Sequence, residues 1–331
     1  MNVRTMEICE KFITDRDVIK REFGWDSALI QLACASIYLD KKEPVNAKKL
    51  DDCKKILKEN VGFFSNFKGT AKPVIVATIA AEEQPEQLLK QALALYDLLK
   101  EEKFASSNYL PFTAMILAKH ATKDTYEQLA KRTREIYKRM KAEHPILTSE
   151  EDTAFCALMA LSEKSDDVLM QEAESCYRML KSERRLSSNA VQSLSHVLAL
   201  CDGNPEEKCN RTIELYDRLR QEGLKYGTDY ELPTLGVLAM CGASFDQIAS
   251  DMKEIDAWLA EQKGFGMLSG ISKKQRLMYA GMIAEQEYIK KDMMQTAAVS
   301  GVISIIVAQE AAMCAAIAAS SAAAAANASN S

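Results

Sequence analysis

Ser195 and His196 stand side by side with Asp202 close behind, the three residue types from which a hydrolytic nucleophile, base and orienting acid can be assembled. Adjacent residues on a helix point about 100° apart, so Ser195 and His196 cannot face each other in those roles. A structural histidine is the expectation. The three histidines, His120, His144 and His196, are scattered along the chain, and no His-x-x-x-His, His-Glu-x-x-His or Cys-x-x-Cys spacing occurs, which argues against zinc. Gly264-Phe-Gly-Met-Leu-Ser-Gly270 loosely resembles a phosphate-cradling loop, but no strand precedes it and no Gly-Lys-Ser/Thr follows. Gly223, Gly227, Gly264, Gly266 and Gly270 therefore read as turn residues. The densest basic run is Lys131, Arg132, Arg134, Lys138, Arg139 and Lys141, in which Lys131, Arg134, Lys138 and Lys141 share one helical face. That stripe suits an acidic docking partner, and the plainer reading is a solvated outer face.

These residues need elements to carry them, and the chain supplies a regular series. Aromatic anchors Tyr96, Tyr137, Tyr177, Tyr216 and Trp258 recur at gaps of 41, 40, 39 and 42 residues. Small apolar runs keep step: Leu117-Ala118, Met159-Ala160-Leu161, Leu198-Ala199-Leu200-Cys201 and Leu238-Ala239-Met240-Cys241. Such a period marks helical repeats. Within the copy from Glu127 to Lys164, Leu129, Ile136, Tyr137 and Met140 form one buried stripe, while Ala154–Leu161 is apolar on every side. Each unit thus pairs an amphipathic helix A with a fully buried helix B. The anchors share their faces with Leu and Met, so they read as packing aromatics rather than a base-stacking ladder.

Helix starts agree with the period. Thr148-x-x-Glu151, Thr228-x-x-Glu231 and Ser272-x-x-Gln275 are capping-box patterns, and Gln84-Pro85 and Asn204-Pro205 place proline in a first turn. Extending the register back to Ile56 and Phe12 gives A helices near 2–14, 45–60, 85–102, 124–143, 166–183, 205–222 and 246–263. The expected fold is all-α, a right-handed α-solenoid of about seven hairpins over residues 1–295, with Phe155, Leu158, Leu198, Leu238 and Met240 inside and Lys131, Lys138 and Arg218 outside.

The composition fits one elongated domain: 331 residues, 47% hydrophobic and 27% charged, with 13 Gly and 7 Pro. A net charge of −5 gives no chain-wide attraction for phosphates and disfavours nucleic acid as a partner. The nine cysteines are odd in number and mostly lie in apolar helix segments, the pattern of reduced core thiols in a cytoplasmic setting. Charges at Glu7, Glu10, Lys11 and Asp15 break any signal-peptide core.

From Thr296 to Ala326 the only charge is Glu310 and alanine dominates. Val299, Ile303, Ile306, Met313 and Ile317 form a stripe suited to packing on the last repeat or on a second copy. The segment is also long enough to span a bilayer, although Glu310 would then sit near its centre at a cost of a few kcal/mol. A frayed end is the third reading of residues 296–331.

Tyr216-Asp-Arg-Leu-Arg-Gln-Glu-Gly-Leu224, followed by Leu235-Gly-Val-Leu-Ala-Met240, resembles a pentatricopeptide or tetratricopeptide-type unit. The period is longer, the proline after the turn is absent, and base-reading positions cannot be aligned, so no RNA code carries over. Over about residues 1–295 the chain is similar to an uncharacterised bacterial family, domain of unknown function 4003. The likeness is carried by Leu186-Ser-Ser-Asn-Ala-Val-Gln-Ser-Leu-Ser-His-Val-Leu-Ala-Leu200 and the Ala-rich end. That resemblance implies a bacterial all-helical protein and no activity. The expected function is a non-enzymatic protein-interaction scaffold without a cofactor, binding a protein or peptide. A membrane-proximal adaptor anchored by residues 296–326 and an enzyme of unrecognised type are the alternatives.

Overall fold

A computed structural model describes residues 1–24, 27–63, 65–183, 186–265 and 271–288. Among them every regular element is helical and no strand occurs. The amphipathic set comprises α1 (Val3–Phe23), α3 (Ala47–Asn60), α5 (Pro85–Glu101), α7 (Tyr126–Glu143), α9 (Asp166–Lys181), α11 (Pro205–Gln221) and α13 (Phe245–Glu261). Between them run α2 (Ala28–Ser36), α4 (Lys72–Ala80), α6 (Leu110–His120), α8 (Thr153–Ala160), α10 (Ser188–Leu200), α12 (Leu232–Ala239) and α14 (Lys273–Tyr288). From α2 to α12 the even helices are the short, apolar ones, while α14 is longer and opens on Lys273, Lys274 and Arg276. Every residue of α8 and α12 is buried, whereas α7 buries only Tyr126, Ala130, Thr133, Ile136 and Met140.

Each odd helix packs on the even helix that follows it. Even helices then pack on even and odd on odd, from α2 to α14 and from α1 to α13. This produces two layers, with the even helices as the shared core. The two ends of the series also meet. Phe12 on α1 packs its ring 5.7 Å from that of Tyr279 on α14, and Thr5 and Arg4 hydrogen-bond to Glu287 and the Gln286 carbonyl. Met1 pairs with Glu254 on α13, and Arg16 donates to the Lys263 carbonyl at 2.7 Å.

Six of the expected A helices lie within two residues of their places. The first is longer, ending at Phe23 rather than 14, because its buried stripe continues through Asp15, Arg16 and Ile19. Both charges are satisfied in place: Asp15 accepts from Lys11 Nζ and from Val45 N–H at 2.7 Å each, while Arg16 pairs with Asp17 and the Lys263 carbonyl. Gly24, at φ 66°, ends the helix.

Of the three capping boxes, Ser272 and Gln275 form theirs reciprocally. The box expected at Thr148 is displaced by one residue, to Ser149 and Asp152. Thr148 itself turns inward, donating to the Met140 carbonyl and accepting from Gln192 Nε2 at 2.8 Å. The Thr228 box is replaced as well, since Glu231 folds beneath Gly227 and accepts from Asp229 N–H. A Cβ at Gly227 would lie 2.2 Å from the Glu231 carboxyl carbon, so a larger residue there would have to push that carboxylate aside. Gly223 and Gly264 take positive φ in their turns, while Gly266 and Gly270 lie outside the described residues.

Phe155, Leu158, Leu198 and Leu238 are buried as expected, and Lys131 and Lys138 are exposed. Met240 is only half-buried because α12 ends before it. Arg218 is half-buried too, drawn down by Asp246 and Glu222.

Thr148→Val is expected to cost about 1–3 kcal/mol, because it strands the buried Gln192 amide. Ser272→Ala removes only a cap, worth about 1 kcal/mol. Urea melts that rank the two in the opposite order would show that the Thr148–Gln192 bond does not matter.

Candidate functional site

The Ser195, His196 and Asp202 grouping dissolves in three dimensions. Ser195 Oγ donates to the Gln192 carbonyl of its own helix at 2.7 Å. His196 is buried against Phe155, its Nδ1 without a hydrogen-bond partner, and Asp202 is exposed. His144 lies elsewhere, stacked 4.3 Å from Tyr177 and bonded to Glu174. His120 closes α6. Among the described residues no cluster of His, Cys, Asp or Glu could hold a metal ion. The eight described cysteines are buried and form no disulfide with one another, and burial pushes the Cys9 and Cys201 thiols up to about 12. Thiols so far from ionising are core packing groups.

Burial, with a smaller contribution from His144, lowers the pKa of His196 to about 3. The unfolded chain binds a proton there near pH 6.5, whereas the native state does not. The stability from a neutral His196 is thus fully present above about pH 6.5 and is lost as pH falls toward 3, at up to about 1.4 kcal/mol per pH unit. His196→Leu should flatten the dependence of urea midpoints on pH between 7 and about 5. Parallel curves for the two proteins would exclude His196 as the responsible group.

The α7 stripe divides on inspection. Lys131 is exposed, and Lys138 is exposed and pairs with Glu135 at 2.6 Å. Lys141 donates to the Thr148 carbonyl at 2.6 Å. Arg134 is half-buried and lays its guanidinium over the rings of Phe104 and Tyr137, at 5.0 and 5.4 Å. Cation–π contact, rather than solvent, receives that charge.

A second basic pattern, unmarked in the sequence reading, sits under the C-terminal ends of the even helices. Arg132 donates to the carbonyls of Ala160, Ser162 and Lys164 beyond α8 and pairs with Asp166. Arg211 donates to the Ala239 carbonyl at the end of α12 and stacks on Phe245 at 5.0 Å. Each satisfies orphan carbonyls and complements the negative end of the helix dipole. Both lie five residues before an anchor, Tyr137 or Tyr216. At the same register before Tyr177 the residue is Glu172, with the charge reversed. Here Lys164 and Lys208 approach Glu172 at 3.0 and 2.6 Å and supply the carbonyl contacts themselves, to Ala199 and Cys201.

Before Tyr96 the register residue is Gln91, and the space that arginine fills elsewhere is open. A cleft of about 860 Å³ lies there, between the α2–α3 and α4–α5 loops and the end of α6. Lys41 and Lys119 sit 3.4 and 3.3 Å from Glu82 Oε1, and Lys49 donates to the Glu82 carbonyl at 2.7 Å. Burial works to raise the Glu82 pKa, but Lys119 and Lys41 outweigh it and hold the carboxyl below its ordinary value. The α5 N-terminus faces the same space, and its N-cap residue, Gln84, makes no side-chain cap bond. A smaller cleft of about 510 Å³ opens at the other ends of the even helices, beside Phe155, Ser193 and Tyr230.

Residues 17–312 match the family described as "protein of unknown function (DUF4003)". The chain belongs to this family. It is also similar to "Uncharacterized protein YeaA" of Bacillus subtilis (strain 168), with 24% identity over 291 residues covering 85% of this chain and 84% of that protein. No solved structure matches the chain. The likeness to pentatricopeptide and tetratricopeptide repeats gains no support from these matches. The family match runs past residue 296 into the Ala-rich segment, which itself lies outside the described residues. Among the described residues no helix is long and apolar enough to cross a membrane.

Proposed function

We propose that this chain is a non-enzymatic protein-interaction scaffold. In this reading seven right-handed hairpins with a 40-residue period form a closed array, and an acidic partner docks on the outward face of α7. The even helices are consumed by packing, so a partner is left the odd helices and the loops. The observation that carries the reading is the exposure of Lys131, Lys138 and Lys141 along one helix. Among the described residues only Lys138 of the three is paired with a carboxylate, that of Glu135, which leaves a net positive strip.

The test is cross-linking mass spectrometry in the native cell, comparing the full chain with a Lys131→Glu, Lys138→Glu, Lys141→Glu variant. The reading expects reproducible cross-links from α7 to acidic segments of a partner, absent in the variant. Cross-links unchanged by charge reversal, or mapping away from α7, would sink it.

A further inference from the structure

We propose that the cleft beside Gln91 binds a small organic polyphosphate of about nucleotide size, held by Lys41 and Lys119. This stands apart from the scaffold reading, which concerns the outer face of α7.

The first support is the break in the repeat. Arg132 and Arg211 fill the space under their even helices with a guanidinium, and the Glu172 unit fills it with Lys164 and Lys208. At the same register before Trp258 stands Lys253, which reaches out to Glu222 instead. The shorter Gln91 leaves room, and the 860 Å³ that results falls within the usual range of small-molecule sites. An unfilled position in one unit of a repeat must be covered by water or by a ligand.

The second support is charge. Four lysines, at 41, 42, 49 and 119, line the cleft against Glu43, Glu82 and Glu83, in a chain whose net charge is −5. Three of those ammonium groups converge on the Glu82 residue, two on its carboxylate and one on its carbonyl. The Glu82 carboxylate carries a single negative charge for Lys41 and Lys119 together, and the Asp40 carboxylate approaches Lys41 only at 3.9 Å. A di- or triphosphate brings more charge and more acceptor oxygens to the same two ammoniums, and lysine serves phosphate as a point charge. In the uncapped first turn of α5 Pro85 has no N–H to give, but the Glu86 and Gln87 backbone N–H groups and the positive end of a helix dipole lie on the same wall. Gln84, Gln87 and Gln91 provide amides for the uncharged part of such a ligand. Glu82 is then an internal competitor, occupying the lysines until the polyphosphate displaces it.

Titration calorimetry on the full chain, with inorganic tripolyphosphate and with ATP as probes, tests this. Lys41→Ala and Lys119→Ala should each weaken binding about tenfold or more, with a steep dependence on salt. Glu82→Gln should tighten it several-fold, a sign that general surface attraction does not predict. Gln91→Arg, which supplies the arginine found at this register before Tyr137 and Tyr216, should abolish binding while leaving the circular dichroism melt unchanged. Tripolyphosphate binding without ATP preference would keep the anion site and assign the ligand's specificity to its phosphates alone. The proposal is overturned if neither probe binds, if Gln91→Arg binds as the wild type does, or if Glu82→Gln weakens binding while remaining folded. An acidic peptide that binds more tightly than either probe would overturn it equally.

Discussion

Glu172→Gln is expected to destabilise the fold by about 3–5 kcal/mol, the cost of stranding a buried charge. Lys208 is only 1% exposed at its side chain, and among the described residues its ammonium has Glu172 as its one carboxylate and also donates to the Cys201 carbonyl. Lys164 leans on the same oxygen. Neutralising the shared carboxylate therefore leaves two ammoniums close together at low dielectric. Adding Lys208→Met to that background should recover much of the loss, since a long apolar side chain fills the same channel without charge. The surface pair Lys55–Asp51 is the control, and Asp51→Asn there should leave the urea midpoint unmoved. If Glu172→Gln behaves like the control, the triad is wetter than its geometry says.

Phe12→Ala should cost about 3–5 kcal/mol, comparable with Leu198→Ala in the middle of the even layer. Both side chains are buried, but their neighbourhoods differ. Leu198 is surrounded by helices close in sequence, whereas Phe12 meets Tyr279 across almost the whole chain. Hydrogen exchange separates the cases. Loss of Phe12 should raise exchange in both α1 and α14, because each covers the other. Exchange raised in α1 alone would mean that the contact between the first and last helices contributes little.

The sequence reading located the helices because their signals are local. A buried stripe, a proline in the first turn and an aromatic anchor are each visible within twenty residues or so. Thr148 shows the limit: the Thr-x-x-Glu pattern is a fair cap, yet an inward rotamer bonded to Gln192, 44 residues away, won over it. The meeting of α1 with α14 had no local signal at all, since Arg4 and Gln286 are 282 residues apart. The candidate cleft was legible in principle. Aligning the units on their anchors places Gln91, Arg132, Glu172, Arg211 and Lys253 in one column, where Gln91 is the uncharged member. The reading of the basic run left Arg132 outside the stripe and without a role, because the stripe argument sorts residues by face and ignores what lies beneath the next helix.

The contact between the first and last helices also bears on how such a chain could change in length. An open stack can gain or lose a unit at either end with little disturbance, because each unit touches only its neighbours. Where α1 already rests on α14, an added pair has nowhere to go unless every interhelical angle in the series tightens to admit it. Duplication of one helix pair among those described would thus be felt by all the others.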